Sequence, residues 1–177
     1  MRIFTAIPIP NEVKNALVEL TRGRLPIPYI NITNLHITLN FLGDLFTDDS
    51  NKALKIFPTL VGEYRGKFEI EFDKIANFRQ QIHLTVKNSE TLFGLQQDLE
   101  AGFKTVGLHF QDQKFYPHVT LGKMHLDNIM NRSRKLVNFP NEELAQLNFT
   151  VQSVALFESK LLPHHAHHTP LVEVPLV

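Results

Sequence analysis

In residues 35–42, LHITLNFL, apolar and polar side chains alternate as far as Phe41: Leu35, Ile37, Leu39 and Phe41 against His36, Thr38 and Asn40. Strand side chains point to opposite faces with period two, so this segment reads as a strand with one face on a core and the other on solvent or a cleft. The same pattern returns at 118–121, where Val119 and Leu121 oppose His118 and Thr120. Two such strands require a sheet covered on one side only, the habit of antiparallel rather than doubly covered parallel sheets.

The rest of the chain supplies the cover. Val13, Ala16, Leu17 and Leu20 recur at helical spacing after PIPNE, with Gly23 as the stop. A second helix begins at TDDSNKAL, where Asp48, Asp49 and Ser50 offer caps, and its stripe is Leu54, Phe57, Leu60 and Val61. A third, over 89–105, follows Asn88 or Ser89 and carries Leu92, Leu95, Gln96, Leu99 and Phe103. Strands are expected at 2–7, at KFEIEF, KIANF and QIHLTVK within 67–87, at FYPHVTLGKM, at LNFTVQSVALFES and at TPLVEVPL, while 125–145 fits a weak helix or a loop. The order β-α-β-α-βββ-α-β-ββ is an α+β pattern with largely antiparallel pairing. A helix flanked by strands and one His-x-Thr strand occurs in each half, a weak internal duplication.

A chain of 177 residues is expected to form one domain, or two lobes sharing a core. It has no cysteine, which excludes disulfides and thiolate metal sites. MRIFTAIPIP is broken by Pro8 and Pro10 and lacks a cleavage site, and no run reaches a membrane span, so a soluble, cytoplasmic protein without a membrane partner is expected. Eighteen basic and eighteen acidic residues cancel. That balance argues against a broad footprint on DNA or RNA and leaves room for a small anion or one RNA end held locally.

The tripeptide His-x-Thr occurs three times: HIT at 36–38, HLT at 83–85 and HVT at 118–120. Histidine alone serves as base or conjugate acid near pH 7 without much tuning. Two imidazoles facing across a cleft can therefore divide one reaction, one taking a proton from water while the other protonates the leaving oxygen. A threonine hydroxyl beside each ring can orient it or bond a phosphoryl oxygen, a kit suited to phosphodiester cleavage. Matched apolar backing singles out the first and third copies, but spacing alone does not exclude His83. A pair of half-exposed sheet positions without chemistry is the plainer alternative.

NLHITLNFLGDL together with YPHVTLGK resembles the paired signatures of the two-histidine (2H) phosphoesterase superfamily, and among them the bacterial and archaeal RNA 2′,3′-cyclic phosphodiesterases of LigT-like type. RIFTAIPIPNEVKNAL and the closing VALFESKLLP and TPLVEVPL resemble the same family, so the likeness covers nearly the whole chain, 1–177. It implies two pseudo-symmetric lobes with antiparallel sheets lining a central cleft and helices outside. It implies hydrolysis of a 2′,3′-cyclic phosphate at an RNA end, or of a nucleoside 2′,3′-cyclic phosphate, to a 2′-phosphate, without metal or other cofactor and by a monomer that does not act on DNA.

By that likeness His118 is the proton acceptor, His36 the proton donor, and Thr38 and Thr120 hold phosphate oxygens. His83 then has no catalytic part, its ring at the cleft edge or on the outer face of the sheet. The family often carries arginine shortly after the second motif; Lys123 matches that place but brings a point charge in place of a bidentate fork. Alternation aims Lys123 away from His118 unless Gly122 permits a bulge. Tyr116 and Phe115 could stack a base, although core packing is the commoner fate of such rings. Arg79 could approach from the neighbouring strand, as against a plain exposed loop arginine.

The turn PHHAHHTP, with His164, His165, His167 and His168, departs from the family, where a glycine and a tyrosine are usual. It reads as a loop of histidines pointing several ways and meeting metal only adventitiously, with a metal sensor as the alternative. Two further alternatives stay open: the same chemistry on 2′,5′-linked oligonucleotides or an ADP-ribose cyclic phosphate, and a non-catalytic nucleotide- or RNA-binding module.

Overall fold

The structure, a computed structural model, describes residues 1–25, 27, 30–64, 66–78, 80–109, 114–124, 138–162 and 166–177. Its strands are β1 (Arg2–Pro8), β2 (His36–Asp44), β3 (Glu69–Ile70), β4 (Phe72–Phe78), β5 (Gln81–Val86), β6 (His118–Lys123), β7 (Phe149–Thr150), β8 (Ser153–Leu161) and β9 (Ala166–Pro175). Helices α1 (Asn11–Thr21), α2 (Thr47–Glu63), α3 (Glu90–Thr105) and α4 (Asn141–Ala145) lie between them. Seven strands form one sheet in the order β4-β5-β6-β2-β1-β8-β9, and β3 pairs with β7 apart from it. Among the described residues every strand pairing is antiparallel. The architecture is α+β, as the element order implied. Its two groups of strands, β4-β5-β6 and β2-β1-β8-β9, are joined edge to edge by a single residue pair, Ile37 with Val119.

The helices form where apolar stripes need cover. Val13 and Leu17 of α1, Ala53, Phe57 and Val61 of α2, and Leu92, Leu95, Leu99 and Phe103 of α3 are buried in one core with Ile3, Ile7, Ile37 and Val119. Gly23, at φ 69, follows the end of α1 in the left-handed region that glycine enters without strain. Ser89 caps α3 by accepting the Leu92 N–H at 3.3 Å. The second helix differs from expectation. It starts at Thr47, where TDDSNKAL begins, but its N-cap position is Phe46 with no side-chain cap, and Asp48 and Asp49 act in its first turn through the helix dipole. The close crossing of α2 and α3 depends on Gly102, since a Cβ there would strike the Leu60 side chain.

The sheet also departs from strict alternation. Ala6 pairs with Thr38 but Thr5 pairs with Asn40, and Phe4 pairs with Phe41 but Ile3 with Gly43, so Leu39 and Leu42 are the extra residues of two β-bulges. A bulge reverses the face of whatever follows it. Asn40 therefore lies on the core face, buried and bonded to Thr5, while Phe41 lies on the histidine face at 40% exposure. That is the opposite of the assignment made from LHITLNFL. The stretch 147–159 likewise breaks into β7 and β8, and KFEIEF contributes only the two-residue β3 before β4 begins. Of 125–145, residues 125–137 lie outside the described residues, as do Arg79, His164 and His165; 141–145 form α4. Among the described residues no helix is long and apolar enough to cross a membrane.

Candidate active site

The sheet order places the three His-x-Thr segments on three adjacent strands, β5, β6 and β2. Thr85 pairs with His118 and His83 with Thr120, and Ile37 pairs with Val119. Continuing that last antiparallel register by one residue in each direction sets His36 opposite Thr120 and Thr38 opposite His118. The first and third motifs are thus related by a local twofold about the Ile37–Val119 pair. Both of those residues are fully buried, so the histidines and threonines beside them face the cleft.

Each motif ring is held the same way. His36 Nδ1 lies 2.6 Å from the Asn34 carbonyl, and His118 Nδ1 lies 2.7 Å from the Tyr116 carbonyl. A carbonyl only accepts, so both Nδ1 atoms carry the proton and both Nε2 atoms are left for chemistry. The two sites then differ. His36 Nε2 meets Thr38 Oγ1 at 3.0 Å, whereas among the described residues no hydrogen bond joins Thr120 to His118. His36 packs against Phe4, centroids 4.9 Å apart, and Phe157, while His118 stands in a wall of rings with Tyr116 at 5.5 Å.

His83 is the first correction. Its ring is not on the outer face of the sheet: it lies in the cleft wall, 2% exposed and stacked on His118, ring centroids 3.9 Å apart and planes 17° apart. Phe78 also stacks on it, centroids 5.6 Å apart, and Gln81 Oε1 lies 3.1 Å from its Nε2. The middle motif is the floor beneath the third. His168 is the second correction. It belongs to β9, not to a loop, and its ring meets His36 at 5.1 Å, edge to face, while its neighbour His167 is exposed. Among the described residues no group of three metal-ligating side chains comes together.

Four imidazoles at or beside the two motifs resist charging. Burial pushes His36 down to about 4, aided by repulsion from His168, His118 and Lys14 and opposed by the Asn34 carbonyl. Burial and the charge of His118 push His83 to about 4. His118 is lowered by burial against the pull of the Tyr116 carbonyl, and His168 by burial and by His167. Burial thus biases each of the four rings toward its neutral form.

The remaining sequence candidates divide. A cleft of about 1170 Å³ is lined by Thr38, Phe41, Phe78, His83, Tyr116 and His118 among others. Tyr116 is 47% exposed on its wall, while Phe115 packs edge-on against Phe93. Lys123 pairs with Gln81 across a register shift that leaves Leu121 unpaired, which returns Lys123 to the face of Gln81 and His83. Its side chain is exposed. Phe41 and Phe78 were missed by sequence reasoning. Phe41 was hidden by the bulge before it, and no local pattern marks Phe78.

A sheet bare on one face, carrying two His-x-Thr strands in antiparallel register with both Nε2 atoms free of the backbone, is the arrangement of a two-histidine phosphoesterase. The sequence profile of the 2′-5′ RNA ligase superfamily matches residues 9–161, and the chain belongs to that family. Similar curated proteins are an RNA 2′,3′-cyclic phosphodiesterase of Methanocaldococcus jannaschii, 23% identical over 93% of this chain and 94% of that one, and one of Methanothermobacter thermautotrophicus, 27% identical over 92% of each. Among solved structures, one described as a phosphoesterase matches with TM-score 0.78 at 23% identity over 99% of this chain and 98% of that one. E. coli LigT complexed with 3′-AMP matches with TM-score 0.75 at 21% identity over 99% and 97%. At these identities the structural matches speak for the fold.

Proposed function

We propose that the chain is an RNA 2′,3′-cyclic phosphodiesterase that opens a terminal 2′,3′-cyclic phosphate to a 2′-phosphate by two-histidine acid/base catalysis without metal. The observation that carries this reading is the pair of Nδ1-anchored imidazoles, His36 and His118, on strands joined edge to edge at Ile37 and Val119. The two relatives named for that activity, each matched over nearly its full length, support the choice of substrate.

In the reaction a water oxygen attacks phosphorus and loses its proton to His118 Nε2. The P–O3′ bond breaks, and His36 Nε2–H protonates the departing 3′ oxygen. The product is a 2′-phosphate with a free 3′ hydroxyl, and solvent exchange returns the proton from His118 to His36. The direction rests on the family resemblance and is supported by the asymmetry of the site: a base needs an open lone pair, and His36 Nε2 is already engaged by Thr38 at 3.0 Å. His36 must hold a proton that burial disfavours and that Lys14 and any charge on His168 or His118 oppose, so the substrate's anionic phosphodiester is what charges it. Thr38 and Thr120 hold the non-bridging oxygens, Lys123 adds positive potential at the rim, and Tyr116 offers its face to the terminal base.

The test is turnover of an oligonucleotide ending in a 2′,3′-cyclic phosphate, in EDTA. His36→Ala and His118→Ala are each expected to lose about 10²–10⁴-fold in kcat while folding normally. The wild-type product should carry a 2′-phosphate. Full activity in His36→Ala overturns the acid assignment, and loss of wild-type activity in EDTA that returns with added metal overturns the metal-free mechanism.

A further inference from the structure

His36 sits on β2 and His168 on β9, and the strand order β2-β1-β8-β9 sets these strands three places apart. Neighbouring strands are about 4.8 Å apart, so in a flat sheet the two would be separated by roughly 14 Å. Their rings are nevertheless 5.1 Å apart, centroid to centroid, with planes at 88°. The beginning of β9 therefore leans over the bare face of the sheet. The amide of Asn34 fastens it there, donating to the Ala166 carbonyl at 2.6 Å. Asn34 is also the residue whose own carbonyl holds His36 Nδ1. One residue thus ties the motif ring and the arching hairpin together.

What the hairpin delivers is an imidazole in a nest of rings, His36, Phe4 at 5.1 Å, and Phe157 stacked on Phe4. Its Nδ1 is buried and has no hydrogen-bond partner among the described residues. Phenylalanine would fill the same space without that loss of hydration. Packing alone gives no reason for a titratable ring here.

We propose that His168 is a positioning residue for His36: the β8–β9 hairpin brings its ring over the cleft to hold the motif imidazole edge to face and to sharpen its readiness to release a proton. This rests on His36 acting as the proton donor. Two imidazoles this close do not share positive charge comfortably, so a proton on His168 makes His36 the stronger acid. The groups facing His36 from the packed elements are Lys14 of α1, His118 of β6 and His168 of β9, and all three oppose its charge. Only His168 lies outside both motifs and touches the ring directly.

The experiment compares wild type with His168→Phe, which keeps a ring but no ionisable nitrogen, and His168→Lys, which keeps the charge but no ring. NMR titration of the His36 ring protons reads its midpoint without requiring turnover. In His168→Phe the midpoint is expected to rise by roughly 0.5–1 on the pH scale. Because His36 must be protonated to act, the alkaline limb of the kcat profile should move upward by the same amount. In His168→Lys the midpoint should stay at or below the wild-type value. His168→Gln, neutral and ring-free, should repeat the rise if the phenylalanine variant fails to fold. An unchanged His36 midpoint in the neutral variants overturns the proposal, and equal shifts in the Phe and Lys variants reduce His168 to packing. A raised midpoint in an enzyme that opens no cyclic phosphate would leave this inference standing and sink the substrate reading instead.

Discussion

A threonine hydroxyl 3.0 Å from His36 Nε2 does two jobs in turn. On the proposed mechanism it donates to the neutral ring, and with His36 protonated it accepts from the ring or turns to a phosphoryl oxygen. Thr38→Val keeps shape and removes the hydroxyl, so kcat is expected to fall about 10²-fold, the scale seen when one donor to a developing charge is deleted. Thr38→Ser should recover most of it, while thermal stability changes little because Thr38 is half-exposed. Steady-state kinetics on the three forms check this. At this scale the sequence was informative, since alternation alone aimed His36, Thr38, His118 and Thr120 at one face. It was blind to His83 and His168, because a ring stacked across two strands is a fact about pairing partners, and no local pattern carries that.

Helix α3 shows how far a rule about residues depends on what the element touches. Gly94 and Gly102 are both interior to it, and glycine in a helix interior is worse than alanine by about 1 kcal/mol. Nothing lies within 4 Å of a Cβ at Gly94, but at Gly102 the Leu60 side chain of α2 already occupies the place. Gly94→Ala should raise stability by about 0.5–1 kcal/mol, and Gly102→Ala should fall below it by about 1–3 kcal/mol as Leu60 is displaced. Urea denaturation of both variants decides it. The elements themselves were legible to within a few residues. What escaped was the pair of bulges in β2, which set Asn40 inward and Phe41 outward, since a bulge is defined against a partner strand.

For the molecule as a whole, histidines kept neutral by burial link folding to pH. His36 and His83 are each held near 4, below the 6.5 of a free imidazole. The unfolded chain therefore binds more protons between those values, and stability should drop as pH falls from about 6.5 to 4, flattening below. His83→Phe removes one of these groups while leaving a ring on His118, so its stability should vary less over that window. Equal slopes for variant and wild type in denaturation across pH 4–7 would contradict this.

The joint at Ile37 and Val119 has a consequence for how the two working rings stay matched. A long ladder would hold their spacing by many backbone bonds, but here one rung lies midway between them. The gap a phosphate must fit is consequently governed by how the two strand groups rest on the shared core. A change in that packing, even far from any histidine, would be felt first as a donor and an acceptor drifting out of reach of the same phosphorus.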